Sequence, residues 1–133
     1  MTTYTHHSIS LADTENLGQE LANELKVGDA ICLYGNLGAG KTTLAGYIIN
    51  CLIPEKQNVT SPTFNIVHQY YSRTGETISH FDLYRIKTTS ELVEIGFAEA
   101  LEEGISIIEW PEIAEEYIKR YATKVIKVFL DRS

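Results

Sequence analysis

Basic residues are scarce in this chain: 11 lysines and arginines stand against 18 aspartates and glutamates, a net charge of -7. A protein that holds a nucleic-acid backbone by itself gathers lysine and arginine on one surface. Only Lys119, Arg120, Lys124 and Lys127 cluster, and Glu115 and Glu116 dilute them, so direct, sequence-independent binding is disfavoured. Cysteine is scarcer still. Cys32 and Cys51 lack metal-ligand spacing and read as small buried hydrophobes in a reducing compartment. No apolar run approaches the ~20 residues that cross a bilayer. The first seven residues have neither the basic start nor the apolar stretch of a secretory signal. A cytoplasmic protein without membrane contact is expected. The four histidines, His6, His7, His68 and His80, form no metal cluster, and only His80 stands near a candidate acid. At 133 residues, 44% hydrophobic and 22% charged, the composition is that of one globular domain, 1–133, with no repeat, low-complexity segment or linker.

What is present is a phosphate-cradling pattern. Gly35-Asn36-Leu37-Gly38-Ala39-Gly40-Lys41-Thr42 spells G-x-x-x-x-G-K-T. The glycines let successive backbone N–H groups turn toward one anion, and the helix N-terminus behind them adds its partial positive charge. Gly35, Gly38, Ala39, Gly40, Lys41, Thr42 and Thr43 are the predicted nucleotide-binding residues, with Lys41 reaching the outer phosphates and Thr42 ligating Mg²⁺. The flanks fit: 30–34 is an apolar run of the kind buried as a central parallel strand, and 43–52 reads as a helix.

Elsewhere, 5–11 reads as an opening strand, with Ser10 or Asp13 able to cap the helix behind it. Leu17, Leu21, Ala22 and Leu25 recur at helical spacing and form a core stripe, which Val27-Gly28-Asp29 stops. Pro54 ends the helix after the phosphate loop, and 55–60 is a polar connector. Segments 65–71 and 77–83 are β-rich and joined by a glycine-containing loop, so they are expected to pair as an antiparallel hairpin. Thr88 and Glu91 have capping-box spacing ahead of a helix interrupted near Gly96. Segment 105–108 is a buried strand, Pro111 opens a short helix to about residue 121, and 125–130 is a last strand. The expected fold is α/β: a P-loop NTPase-like three-layer sandwich whose mixed sheet has a parallel centre and an antiparallel hairpin addition.

A phosphate loop needs a carboxylate near the metal, at the carboxyl end of a neighbouring strand, because ligands of open α/β sheets gather there. Glu109 ends the run 105–108 and is the expected metal ligand beside Thr42. Asp82 is placed to orient a metal-bound or attacking water. Thr63, in Ser61-Pro62-Thr63-Phe64, offers a hydroxyl to the metal or the γ-phosphate, in a position where nucleotide-sensing loops lie. Trp110 is assigned equally to the core, to an interface or to a position over the site.

Four blocks in order, Gly35 to Thr43, Ser61-Pro62-Thr63-Phe64, His80-Phe81-Asp82-Leu83-Tyr84-Arg85 and Ile108-Glu109-Trp110-Pro111, closely resemble the bacterial TsaE (YjeE) family. The resemblance implies the ATPase component of tRNA threonylcarbamoyladenosine synthesis. It implies that residues 38–43 bind ATP, that Thr42 and Glu109 hold Mg²⁺, and that Asp82 with Thr63 completes a hydrolytic site with Lys41. It further implies a TsaB–TsaD heterodimer as partner, reset by hydrolysis, with the tRNA contacted mainly through those partners. Asn36 stands where the family commonly has aspartate, at a position expected to contribute backbone. The chain stops at Asp131-Arg132-Ser133, where family members usually continue into another strand, which leaves the adenosine contacts of that region unassigned.

Phosphoryl transfer to water asks a protein mainly for positioning and charge stabilisation. None of Arg73, Arg85, Arg120 and Arg132 sits in a recognisable finger loop, so slow hydrolysis by the isolated chain and stimulation by the partner are expected. Two rivals remain. A small-molecule kinase would need an arginine-bearing lid and an acceptor segment. A nucleotide-dependent docking module would use ATP to order 61–64, with hydrolysis incidental. A GTPase is disfavoured because the chain has no Asn-Lys-x-Asp sequence.

Overall fold

The computed structural model describes residues 2–7, 11–36 and 38–131. In chain order the elements are β1 (Thr2–His7), α1 (Leu11–Glu24), β2 (Asp29–Tyr34), α2 (Lys41–Leu52), β3 (Val67–Tyr71) and β4 (Thr77–Asp82). There follow α3 (Thr89–Glu94), α4 (Phe97–Glu103), β5 (Ile105–Glu109), a 3-10 turn (Pro111–Ala114), α5 (Glu115–Tyr121) and β6 (Lys124–Asp131).

The six strands form one sheet in the order β1-β6-β2-β5-β4-β3. Every neighbouring pair is parallel except β3 and β4. Neighbours in the sheet are mostly distant in the chain: β6, the last strand, lies between β1 and β2. The expected α/β class and mixed sheet hold, with one refinement. The antiparallel addition is β3 alone, because β4 pairs parallel to β5 and belongs to the central array.

Strand alternation sorts the core into two layers. Ile31 and Leu33 of β2, Ile105 and Ile107 of β5, and Ile78 of β4 pack on one face with Leu21, Leu44, Ala45, Ile48 and Ile49 of α1 and α2. Ala30, Cys32, Phe81 and Ile108 face the other way, against Leu92, Phe97, Leu101 and Ile118 of α3, α4 and α5. Phe81 and Phe97 meet edge to face at 4.8 Å; full burial of each such ring contributes about 1.5–3 kcal/mol. The same alternation carries Ile78, His80 and Asp82 of β4, and Ile105, Ile107 and Glu109 of β5, to the α2 side of the sheet. On β4 and β5 that face becomes polar toward its carboxyl end.

Local chemistry explains the boundaries. The first strand begins at Thr2, earlier than the expected 5–11, because it pairs with β6 from Thr2 opposite Ile126. Ser10 lies outside the described residues, and Asp13 falls in the first turn of α1 instead of at its cap. Ile66 takes φ 70, which ends any extension of β3 back to residue 65. The Glu91 carboxylate accepts from the backbone N–H groups of Thr88 at 2.8 Å and Lys87 at 2.7 Å, starting α3 as its spacing predicts. Gly96 separates α3 from α4, and the helix expected from Pro111 is a 3-10 turn before α5.

Candidate functional site

The loop between β2 and α2 leaves the central strand at Tyr34, and its glycines adopt positive-φ conformations that other residues enter only at a cost. Gly38 has φ 79 and Gly40 φ 98, and a Cβ on either would meet nothing within 4 Å. The constraint there is torsional: these positions need glycine for the turn, not for want of room. Among the described residues no side chain caps α2 at Gly40, so the donors of its first turn are available to an anion.

Lys41, the first residue of α2, is 5% exposed. Its Nζ donates to the carbonyls of Gly35 and, at 3.1 Å, of Asn36. Asn36 thus serves through its backbone, as the sequence suggests. The same Nζ lies 3.8 Å from the centre of the Trp110 ring. Burial lowers the Lys41 pKa, while the negative charges of Glu109, Glu112 and Asp82 act to raise it.

Opposite the lysine stand the acids. Asp82 and Glu109 are register partners at the ends of β4 and β5. Glu109 is 2% exposed and accepts from Thr42 Oγ1 at 2.9 Å on Oε1 and 3.0 Å on Oε2. Asp82 is 3% exposed. Its Oδ2 accepts from Ser61 Oγ at 2.6 Å and Thr63 Oγ1 at 2.9 Å, and its Oδ1 from the Tyr84 N–H at 3.0 Å. The two hydroxyls lie 2.9 Å apart, and their donations to Oδ2 pin the connector after α2 to the acid.

One cavity of about 360 Å³ collects these groups. Gly38, Ala39, Gly40, Lys41, Thr42 and Thr43 line one side, and Ser61, Thr63, Asp82, Glu109 and Trp110 the other. Each residue singled out in the sequence lies there except Gly35, which the lysine reaches from within. A larger cavity of about 470 Å³ runs over the outer face of α2, sharing Thr42 and Thr43.

The sequence reading leaves two residues without a role that the structure gives a place. Ser61 Oγ makes the shorter of the two hydroxyl bonds to Asp82. His80, wholly buried, has Nε2 2.7 Å from Glu109 Oε2. The available signal for His80 is its spacing from Asp82, since residues i and i+2 of a strand share a face. Of the arginines, Arg73 donates to the Cys51 carbonyl at 2.6 Å, and the Arg85 guanidinium lies 5.1 Å from the centre of the Phe64 ring. Neither lines the 360 Å³ cavity.

The donor set suits a nucleoside triphosphate with magnesium. A hydroxyl and two carboxylates are hard oxygen donors, and Mg²⁺ takes one or two of these while phosphates and waters fill the remaining positions. A helix start without a side-chain cap and a buried lysine, whose ammonium is held among the described residues by carbonyls and an indole, supply the complementary anion site. Among the described residues, no helix is long and apolar enough to cross a membrane.

Similarity to known proteins extends over most of the chain. Residues 8–132 match the family model described as threonylcarbamoyl adenosine biosynthesis protein TsaE. Three proteins named tRNA threonylcarbamoyladenosine biosynthesis protein TsaE are similar to the chain. That of Rickettsia felis is 43% identical over 80% of this chain and 61% of its own length. The Rickettsia typhi protein is 38% identical over 96% of the chain and 88% of its own length. The Aquifex aeolicus protein is 40% identical over 75% and 71%. The chain therefore spans less than two thirds of the Rickettsia felis relative.

Proposed function

The chain belongs to the TsaE family, and on that premise we propose that it is the ATP-binding, ATP-hydrolysing subunit of a machinery that installs threonylcarbamoyladenosine on tRNA. In this reading hydrolysis resets a TsaB–TsaD transferase complex between cycles, and the tRNA is held mainly by those partners. The observation that carries the reading is the convergence of Lys41, Thr42, Thr63, Asp82 and Glu109 on one cavity at the carboxyl ends of β2, β4 and β5. A phosphate loop alone supports only binding; the two acids supply the means to hydrolyse.

Each group has its own share of the work. The first turn of α2 and Lys41 hold the phosphates, and the ammonium offsets charge that grows on the departing group. Thr42 and Glu109 hold magnesium, which when bound supplies Lewis-acid charge stabilisation. Asp82, its carboxylate fixed by Ser61 and Thr63, orients the attacking water. The net charge of -7 supports a role in which others grip the tRNA.

The deciding experiment reconstitutes tRNA modification from the chain, the TsaB–TsaD complex, tRNA, ATP and threonylcarbamoyl-adenylate. Lys41→Ala is expected to lose nucleotide binding; Glu109→Ala is expected to keep binding but lose repeated turnover, by about 10²-fold or more, the cost of several kcal/mol of metal-derived stabilisation. Equal ATP turnover with and without the complex, at saturating ATP, would sink the proposal.

One observation favours a second reading, in which ATP chiefly orders a docking surface. Phe64 is 84% exposed, yet it comes directly after Thr63, whose hydroxyl is tied to Asp82. Whatever happens at the acid is therefore one residue from an aromatic side chain that faces solvent. If Glu109→Ala still supports repeated modification, docking is the function and hydrolysis incidental. The kinase reading has less support, because no arginine lies among the described residues that line the cavity.

A further inference from the structure

We infer that His80 is a positioning residue for the magnesium site: its Nε2–H holds the Glu109 carboxylate in one orientation and thereby sets how much magnesium nucleotide binding requires. The inference rests on the magnesium–ATP reading above and deepens it at a residue that touches neither ligand.

His80 sits in β4 opposite Ile107, one strand from Glu109, and is wholly buried. Its Nε2 is 2.7 Å from Glu109 Oε2, and the two side chains are 0% and 3% exposed. An ionised carboxylate only accepts, so the hydrogen of this bond belongs to Nε2. The other ring nitrogen, Nδ1, is buried without a hydrogen-bond partner among the described residues. A ring kept merely to fill space would be cheaper as an apolar side chain, because an unpartnered buried polar atom costs free energy. The bond to Glu109 is what the structure gains in exchange.

That bond acts on a soft torsion. The terminal torsion of a glutamate is broad and roughly two-fold, so a lone carboxylate turns easily. Here Thr42 Oγ1 spans both oxygens and His80 pins Oε2 from the sheet side. The carboxylate plane is fixed, and Oε1 is left as the oxygen without a histidine on it. His80 does not line the cavity, so its influence passes through Glu109. Partners that orient a metal ligand in this way change metal affinity about 10- to 100-fold when removed.

The test titrates magnesium against a fluorescent, non-hydrolysable ATP analogue, so the readout is binding without turnover. His80→Phe keeps the ring and removes the donor; His80→Gln places an amide N–H near the position of Nε2; His80→Asn is polar but too short. The magnesium concentration for half-maximal gain in analogue binding is expected to rise about 10-fold in His80→Phe and His80→Asn and to return to within about 2-fold of wild type in His80→Gln. Binding without magnesium, through Lys41 and the first turn of α2, is expected to stay unchanged in all three.

A wild-type magnesium requirement in His80→Phe overturns the inference, as does a His80→Gln variant as impaired as His80→Phe. If His80→Phe fails to fold, the His80→Asn and His80→Gln pair decides on the same criterion. A wild-type protein whose analogue binding ignores magnesium overturns the magnesium reading itself, before any variant is compared.

Discussion

The Lys41 ammonium rests against the face of the Trp110 indole, 3.8 Å from the ring centre, while its hydrogens go to backbone carbonyls of the phosphate loop. A desolvated contact of this kind is worth about 2 kcal/mol or more, and several charge-assisted hydrogen bonds to phosphate, at about 1.5–3 kcal/mol each, together exceed it. Trp110 is the single tryptophan of the chain. ATP is therefore expected to draw Lys41 off the ring and change the tryptophan emission, measured by steady-state fluorescence. Lys41→Ala is expected to start from a different emission and to lose the ATP response. A wild-type spectrum that stays constant through saturation with ATP would show that the lysine keeps its place.

Phe64 separates the two functional readings. Its ring is solvent-facing, with the Arg85 guanidinium 5.1 Å from its centre, so Phe64→Ala removes no core packing. Thermal stability and the turnover of the isolated chain are expected to stay at wild-type values, since surface changes of this kind fall within about ±0.5 kcal/mol. Stimulation by the TsaB–TsaD complex is expected to fall about 10-fold or more, as for an aromatic anchor at an interface. Full stimulation of the variant would remove Phe64 from the partner surface.

The elements of the fold were largely readable from the sequence, and their order in the sheet was not. Alternation of apolar residues and the capping spacing of Thr88 and Glu91 are local signals, and the structure places strands and helices where they point. The insertion of β6 between β1 and β2 is decided by pairing across most of the chain, which local periodicity does not encode. The same division runs through the site. Lys41 and Thr42 announce themselves by spacing, whereas the bond between His80 and Glu109 depends on two strands lying side by side. Read singly, His80 is one histidine among four; read with Asp82 at i+2, it belongs to the face that carries both acids.

Cys32 and Cys51 are expected to differ in reactivity. Cys32 is 1% exposed in β2, and burial pushes its thiol up to about 12. Cys51 is partly exposed; burial raises its pKa too, and Arg73 opposes the rise. At pH 8 iodoacetamide is expected to modify Cys51 slowly and Cys32 only after unfolding, read by mass spectrometry. The Cys32 thiol is raised in the folded state, so its contribution to stability is complete below its ordinary value of 9.0 and is lost as pH rises toward about 12. Rapid native labelling of Cys32 would contradict its place in the core.

Gly104 tests packing far from the site. A Cβ there would lie 2.4 Å from the Thr77 carbonyl oxygen, at the point where α4 turns into β5 beside β4. Gly104→Ala is expected to destabilise the fold by about 1–3 kcal/mol through overpacking, lowering Tm by several degrees, with ATP affinity unchanged. A melt within about 0.5 kcal/mol of wild type would show that the strand ends give way freely.

Trp110 has φ 56 and ψ 56, a left-handed conformation that costs a non-glycine residue about 1–2 kcal/mol. Had β5 simply continued, residue 110 would look to the opposite side of the sheet from Glu109. The reversal instead turns the last acid of the strand and the next side chain into the same cavity. One peptide link thus joins the buried carboxylate to the indole that lies against Lys41. Relaxing that single torsion to an extended value would carry the indole away while Thr42 and His80 still held the acid, so the site could lose its cover without losing its charge.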